Sequence, residues 1–239
     1  MGKKVAIVSG VVLLVLVAGV VWFYVSSGSG EPSAEVTAPT VARPVVTDSV
    51  VDTTQVESLG QVTYDIDKMQ SSVRFEIDEI LRGNPKHVVG VTSEVAGQVL
   101  IDFNDPANSQ LGTVVINVRT FKTDSDLRDR SIRGPILGSS SDENEFSEFA
   151  PTSIEGLPSS IALGDVVTLT VVGELLLSGT TSTVTFDVTV TVVSVDQVAV
   201  AGSADVLRSD FDLTIPNVAT VAAVTNEVLL VFDFIATAG

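Results

Sequence analysis

From Thr63 onward the chain alternates apolar and polar residues with a period of two. The cleanest stretch is 183–192. Val184, Phe186, Val188, Val190 and Val192 fall on one face, and Thr183, Thr185, Asp187, Thr189 and Thr191 on the other. Successive strand side chains point to opposite sides, so this pattern predicts a strand with one buried and one wet face. Val73, Phe75 and Ile77 alternate in the same way with Arg74, Glu76 and Asp78. So do Val95, Val99, Ile101 and Phe103 with Ala96, Gln98 and Asp102, and Val114, Ile116 and Val118 with Val115, Asn117 and Arg119. Further strands are predicted at 166–177, 197–208 and 227–236, with turn signals at Asn104-Asp105-Pro106, Ser178-Gly179-Thr180 and Gly202. Only about 124–137 reads as helical, through Leu127, Ile132, Ile136 and Leu137, and Gly134-Pro135 interrupts it. The expected fold is all-β: an antiparallel barrel or sandwich of about eight strands with one short helix. A closed barrel is favoured because it leaves no free edge.

The N-terminal pattern is different. Lys3 and Lys4 precede an unbroken apolar run from Val5 to Val25. At 1.5 Å per residue this run makes a helix of about 31 Å, the thickness of a bilayer hydrocarbon core. Trp22, Phe23 and Tyr24 close it where an interfacial aromatic belt belongs. The lysine pair places residues 1–4 in the cytoplasm, 5–25 across the cytoplasmic membrane as a single pass, and the remainder outside. The competing reading is a cleaved signal peptide, with Ser26-Ser27-Gly28-Ser29-Gly30 supplying the small residues of a cleavage site. Residues 26–60, with scattered Pro32, Pro39 and Pro44, are expected to be an extended linker ahead of a domain at 61–239.

Composition strengthens the β reading and narrows the function. Val and Thr dominate, and aromatics are only 5 % of the chain; β-branched side chains suit a pleated surface. Without Lys3 and Lys4, 11 of the 13 basic residues face 30 acidic ones, a net charge of −19. Such a surface repels phosphate backbones, which argues against nucleic acid as a partner, and it also repels anionic lipid head groups. There is no cysteine and a single histidine, His87. Disulfides, thiol catalysis, Cys-ligated zinc and multi-His metal sites are therefore excluded.

Six phrases in order carry a resemblance. Tyr64-Asp65-Ile66-Asp67 is followed by Ser71-Ser72-Val73-Arg74-Phe75, and then by Gly97-Gln98-Val99-Leu100-Ile101-Asp102. Val114 to Thr123 leads into Asp124, Arg128 and Asp129; Gly173, Leu175, Gly179 and Thr181 form a strand pair; Arg208-Ser209-Asp210-Phe211 follows; and Glu227 to Phe234 closes the series. Over roughly 63–236 the chain resembles the YceI-like family, exported lipocalin-like barrels associated with polyisoprenoid lipids. The departures are a family histidine that falls near Glu79, a family glycine that is Asp212, and an Ala150-Pro151 where the family has a Tyr-Pro turn.

An eight-stranded barrel either fills itself with side chains or holds one slender ligand. The resemblance implies the second: an isoprenoid-like lipid tail lined by Phe75, Phe103, Val118, Phe186, Val188, Phe211, Phe232 and Phe234, with no cofactor and no metal. Arg208 is the polar candidate, either gripping a phosphate or carboxylate or pairing with Asp210 to brace a strand end. Arg128 and Asp129 divide in the same way between a role at the site and solvation of the helix. Asp142, Glu143, Glu145 and Glu148 read as a solvated charge run rather than a calcium loop. No nucleophile elbow, phosphate loop or dinucleotide fingerprint occurs, so the chain is read as non-catalytic. The alternative function is a structural or interaction domain with a filled barrel.

Overall fold

The computed structural model describes residues 28–42, 60–217 and 221–239. Thirteen strand segments lie among them: β1 (Gln61–Ile66), β2 (Ser72–Leu81), β3 (Asn84–Thr92), β4 (Val95–Ala96), β5 (Gln98–Asp102), β6 (Gln110–Leu111), β7 (Val114–Asn117), β8 (Phe146–Glu155), β9 (Val166–Leu177), β10 (Thr180–Ser194), β11 (Gln197–Leu207), β12 (Val221–Val224) and β13 (Glu227–Ala238). One short helix, α1, spans Asp126–Ser131 and runs into a wide turn at Ile132–Ile136 that contains Pro135.

All pairings are antiparallel and build one curled sheet. Its backbone is the run β7-β8-β9-β10-β11-β13. The long strand β13 then splits its far edge: Leu229 to Asp233 pair with β2, whereas Ala236 to Ala238 pair with β1. Curling brings the two ends of the run together at Gly97. On one side of this glycine β4 pairs with β7, and on the other β5 pairs with β1. A Cβ at Gly97 would come within 2.9 Å of Ile66 and 3.2 Å of Val114, so only glycine lets both neighbours approach.

Two turns set the register. Arg82-Gly83 and Ser178-Gly179 each place both central residues at positive φ (52° and 82°, 52° and 81°). That is the two-residue hairpin whose twist matches the strands it joins, and it fixes Leu81 opposite Asn84 and Leu177 opposite Thr180.

The sheet contains more segments than the alternation predicts. His87 lies on β3, paired opposite Asp78; its ring bonds Asp78 at 2.8 Å and Glu76 at 3.2 Å. β8 occupies the stretch around Ala150-Pro151, where a bulge between Pro151 and Ser153 accommodates the proline. The acidic run before it is not uniformly solvated either, because Glu145 is fully buried.

Residues 28–42 form neither helix nor strand and lie against the domain. Ser33 donates its amide (2.8 Å) and its hydroxyl to Glu145, and the Val41 amide donates to Gln98 at 2.7 Å. Val36 is buried. Gly30 sits against the Arg133 guanidinium, with no room for a Cβ. Among the described residues no helix is long and apolar enough to cross a membrane; the expected span at 5–25 lies outside them.

Candidate functional site

The inward faces of the sheet do not meet. They enclose a cavity of about 490 Å³, within the range of small-molecule sites. Its wall is overwhelmingly aliphatic and aromatic, built from Val73, Val114, Val171, Val188, Val200 and Leu175 among others. Phe149, Phe186, Phe232 and Phe234 form a continuous strip: centroids lie 5.1, 5.6 and 4.6 Å apart, running from edge-on to stacked. Phe75 meets Phe121 edge-on at 5.2 Å.

The placement of these rings explains why the interior stays open. Gly90 stands opposite Phe75 in the β2–β3 ladder, and Gly202 opposite Phe232 in the β11–β13 ladder. A Cβ would sit 2.1 Å from the Phe75 ring and 2.5 Å from the Phe232 ring. Each ring therefore lies across its partner strand rather than projecting into the centre. Gly173 provides the same berth for Phe149.

One end of the cavity is polar. Glu79, Arg82, Ser125, Arg128, Ser131 and Arg208 contribute there, together with the apolar Leu127, Leu213, Ile215, Val221 and Val224. Glu79 accepts from Arg128 Nη2 at 2.6 Å, and Arg128 also donates to Asp124. Burial opposes the arginine's charge, but the hydrogen bonds and charges of Glu79 and, after it, Asp124 together outweigh burial and hold Arg128 above its ordinary value. Lys86, 2.6 Å from Asp124, is the main cause that holds that carboxyl below the usual range, and Arg128 adds to it. The rim thus carries a fixed charge network beside an apolar chamber.

Of the sequence-predicted site residues, Phe75, Val118, Phe186, Val188, Phe211, Phe232, Phe234 and Arg208 all lie on the cavity wall. Phe103 does not. β5 ends at Asp102, whose buried carboxylate accepts the amides of Asn104 and Asp105 at 2.9 Å each. That cap turns the chain, and Phe103 packs half-buried on the core outside the chamber. Sequence reasoning missed the partnership of Glu79 with Arg128. The signal was present: counting by two from Val73 through Phe75 and Ile77 reaches Glu79, a carboxylate on an otherwise apolar face. Asp129 is 2 % exposed and accepts the Thr123 amide (2.8 Å) and hydroxyl (2.6 Å), so it braces the start of α1 rather than solvating it.

The YceI-like domain model matches residues 64–236. The chain belongs to the YceI-like domain family. Two solved structures share the fold. A polyisoprenoid binding domain from Saccharophagus degradans, implicated in plant cell wall breakdown, superposes with a TM-score of 0.58 at 15 % identity, over 74 % of this chain and 99 % of that one. BcnA of Burkholderia cenocepacia does so with a TM-score of 0.53 at 22 % identity, over 72 % and 99 %. At these identities the likeness is one of fold. No curated protein matches the chain.

One departure from the resemblance has a structural explanation. Asp212, which stands at the family's glycine, adopts a left-handed conformation (φ 55°), a region that Asp tolerates better than most residues. Arg208 does not pair with Asp210; its bonds go to backbone carbonyls at the rim. Its Nε donates to the Thr225 carbonyl at 2.9 Å and its Nη1 to that of Leu213 at 3.0 Å. Arg208→Ala is therefore expected to lower stability by about 2 kcal/mol, read as a fall in the urea midpoint at unchanged m-value.

Proposed function

We propose that the protein is a membrane-anchored extracytoplasmic carrier for an amphipathic isoprenoid-like lipid. The tail would occupy the chamber and the polar end would lie at the Glu79–Arg128 rim. The anchor is the apolar run Val5–Val25, which places the domain outside the cytoplasmic membrane. The observation that carries this reading is the 490 Å³ chamber with its apolar wall and a single charged end. A filled barrel, as the structural-domain alternative requires, would leave no such space. Burying a tail gains about 0.8 kcal/mol per methylene, so several isoprene units would give useful affinity without specific contacts. The Arg128 fork and the Glu79 carboxylate add donors and an acceptor that can orient a head group. No covalent chemistry is required.

The test is native mass spectrometry of residues 28–239, followed by organic extraction of whatever co-purifies. A discrete adduct that extracts as a long-chain isoprenoid is expected. A bare protein mass, unchanged on addition of such lipids, would sink the carrier reading.

A further inference from the structure

We infer that the rim of the chamber docks on the bilayer, so that the cavity opens directly into lipid and its cargo enters without crossing water. This rests on the carrier reading above and adds a membrane-contact surface to it.

Three observations converge. The first is where Gly28 and Gly30 sit. Gly28 stands against Ser140, and Gly30 against Arg133, immediately beyond Ser131 and Ile132 of the chamber wall. Only two residues separate Gly28 from Val25, the last residue of the apolar run. Three extended residue steps reach about 11 Å. If Val5–Val25 spans the bilayer, this flank of the domain cannot stand far from the head groups.

The second is that residues 28–42 are fastened. Ser33 is clasped to the buried Glu145, and Val41 to Gln98. Residues 28–42 therefore fix the orientation of the domain instead of letting it swing on a stalk.

The third is the character of the rim. Leu127, on the exposed side of α1, is 60 % exposed although it lines the chamber mouth. Half-buried Leu81, Leu213, Ile215, Val221 and Val224 surround the same opening. An apolar lip around an apolar chamber matches a hydrocarbon surface better than it matches water. The domain at 61–239 carries 10 basic and 25 acidic residues, a net charge of −15 that opposes attraction to anionic lipids, so docking depends on the tether. A linked site works at an effective concentration that free protein does not reach.

The chain has no cysteine, so one introduced thiol labels one place. The full-length protein carrying Leu127→Cys, labelled with a polarity-sensitive fluorophore, is reconstituted into phosphatidylcholine vesicles containing a nitroxide-labelled lipid. Leu163→Cys is the reference: it is 50 % exposed, and the next residue, Gly164, bonds Val192 near the end of β10, away from the rim. At least threefold stronger quenching at Leu127 than at Leu163 is expected. Equal quenching at the two positions, or none at Leu127, overturns the inference. Strong quenching at Leu127 with a chamber that stays empty by native mass spectrometry would retain the docking and discard the carrier reading.

Discussion

Val188→Phe should abolish lipid loading while leaving the fold in place. Val188 is 5 % exposed, points inward from β10, and stands opposite Gly202, the berth of the Phe232 ring. With Phe232 already lying across that glycine, a new ring at 188 has nowhere to go but the chamber. Overpacking costs about 1–3 kcal/mol in a filled core, but here an existing void receives the ring, so little stability should be lost. Occupancy should fall at least tenfold, equivalent to about 1.4 kcal/mol of binding free energy. Native mass spectrometry after incubation with a polyisoprenoid reads the loss. Thr189→Phe, one residue along and facing solvent, is the control and should load normally. If both variants load like the parent, the chamber is not the binding site.

The largest loss of stability should come from Glu145→Ala. This carboxylate is fully buried and gathers four partners: the Ser33 amide and hydroxyl, Asn117 Nδ2 at 2.7 Å and Arg119 Nη1 at 3.2 Å. Arg119 is itself buried and also reaches Asp142 at 2.7 Å and the Ser139 carbonyl at 2.6 Å. Breaking a buried ion pair on one side costs about 3–5 kcal/mol when the other charge is left alone; Asp142 still faces Arg119, so the loss should lie near the lower end of that range. The same change removes the clasp on residues 28–42, so they should become cleavable by trace protease before the domain unfolds. Ser33→Ala, which deletes only one hydroxyl, should cost about 1 kcal/mol and release the segment more mildly.

The clasp should also respond to acid. Burial pushes the Glu145 carboxyl up, but the bonds from Ser33 and Asn117 and the charge of Arg119 more than offset this and hold it below its ordinary value. A carboxyl lowered on folding contributes stability that is complete above its unfolded value, about 4.3, and is lost as pH falls through the lower folded value. Protease sensitivity of residues 28–42 should therefore rise below about pH 4.3. A segment equally protected at pH 3 and pH 7 would contradict this assignment.

Much of the fold was legible because a period of two is a local property. The alternation in 183–192 became β10, with Val184, Phe186 and Val188 inward, and the face count for 73–77 became β2. The turn at Ser178-Gly179 was legible for the same reason, whereas Gly202, read as a turn signal, lies inside β11 opposite Phe232, because its missing side chain makes room for a ring and does not reverse the chain. β3 and β8 were harder to read, because Pro85, His87 and Gly90 interrupt the first pattern and Ala150-Pro151 the second. These irregularities are tolerated through cross-strand partners that no short window contains. Phe103 was misjudged for a similar reason: the strand stops one residue earlier, at the Asp102 cap.

The all-β class, the inward face of most strands and the acidic balance were readable from near neighbours and residue counts, and the family from its resemblance to six phrases in order. None of these requires knowing where the chain goes next. Tertiary structure decided that the curled sheet encloses a cavity, because rings such as Phe75 and Phe232 fold over glycines from other strands. It also decided that Glu79 meets Arg128 across 49 positions and that Glu145 holds Ser33 across 112. Pairings at such separations depend on how the sheet curls, and a local pattern of side chains carries no information about curvature.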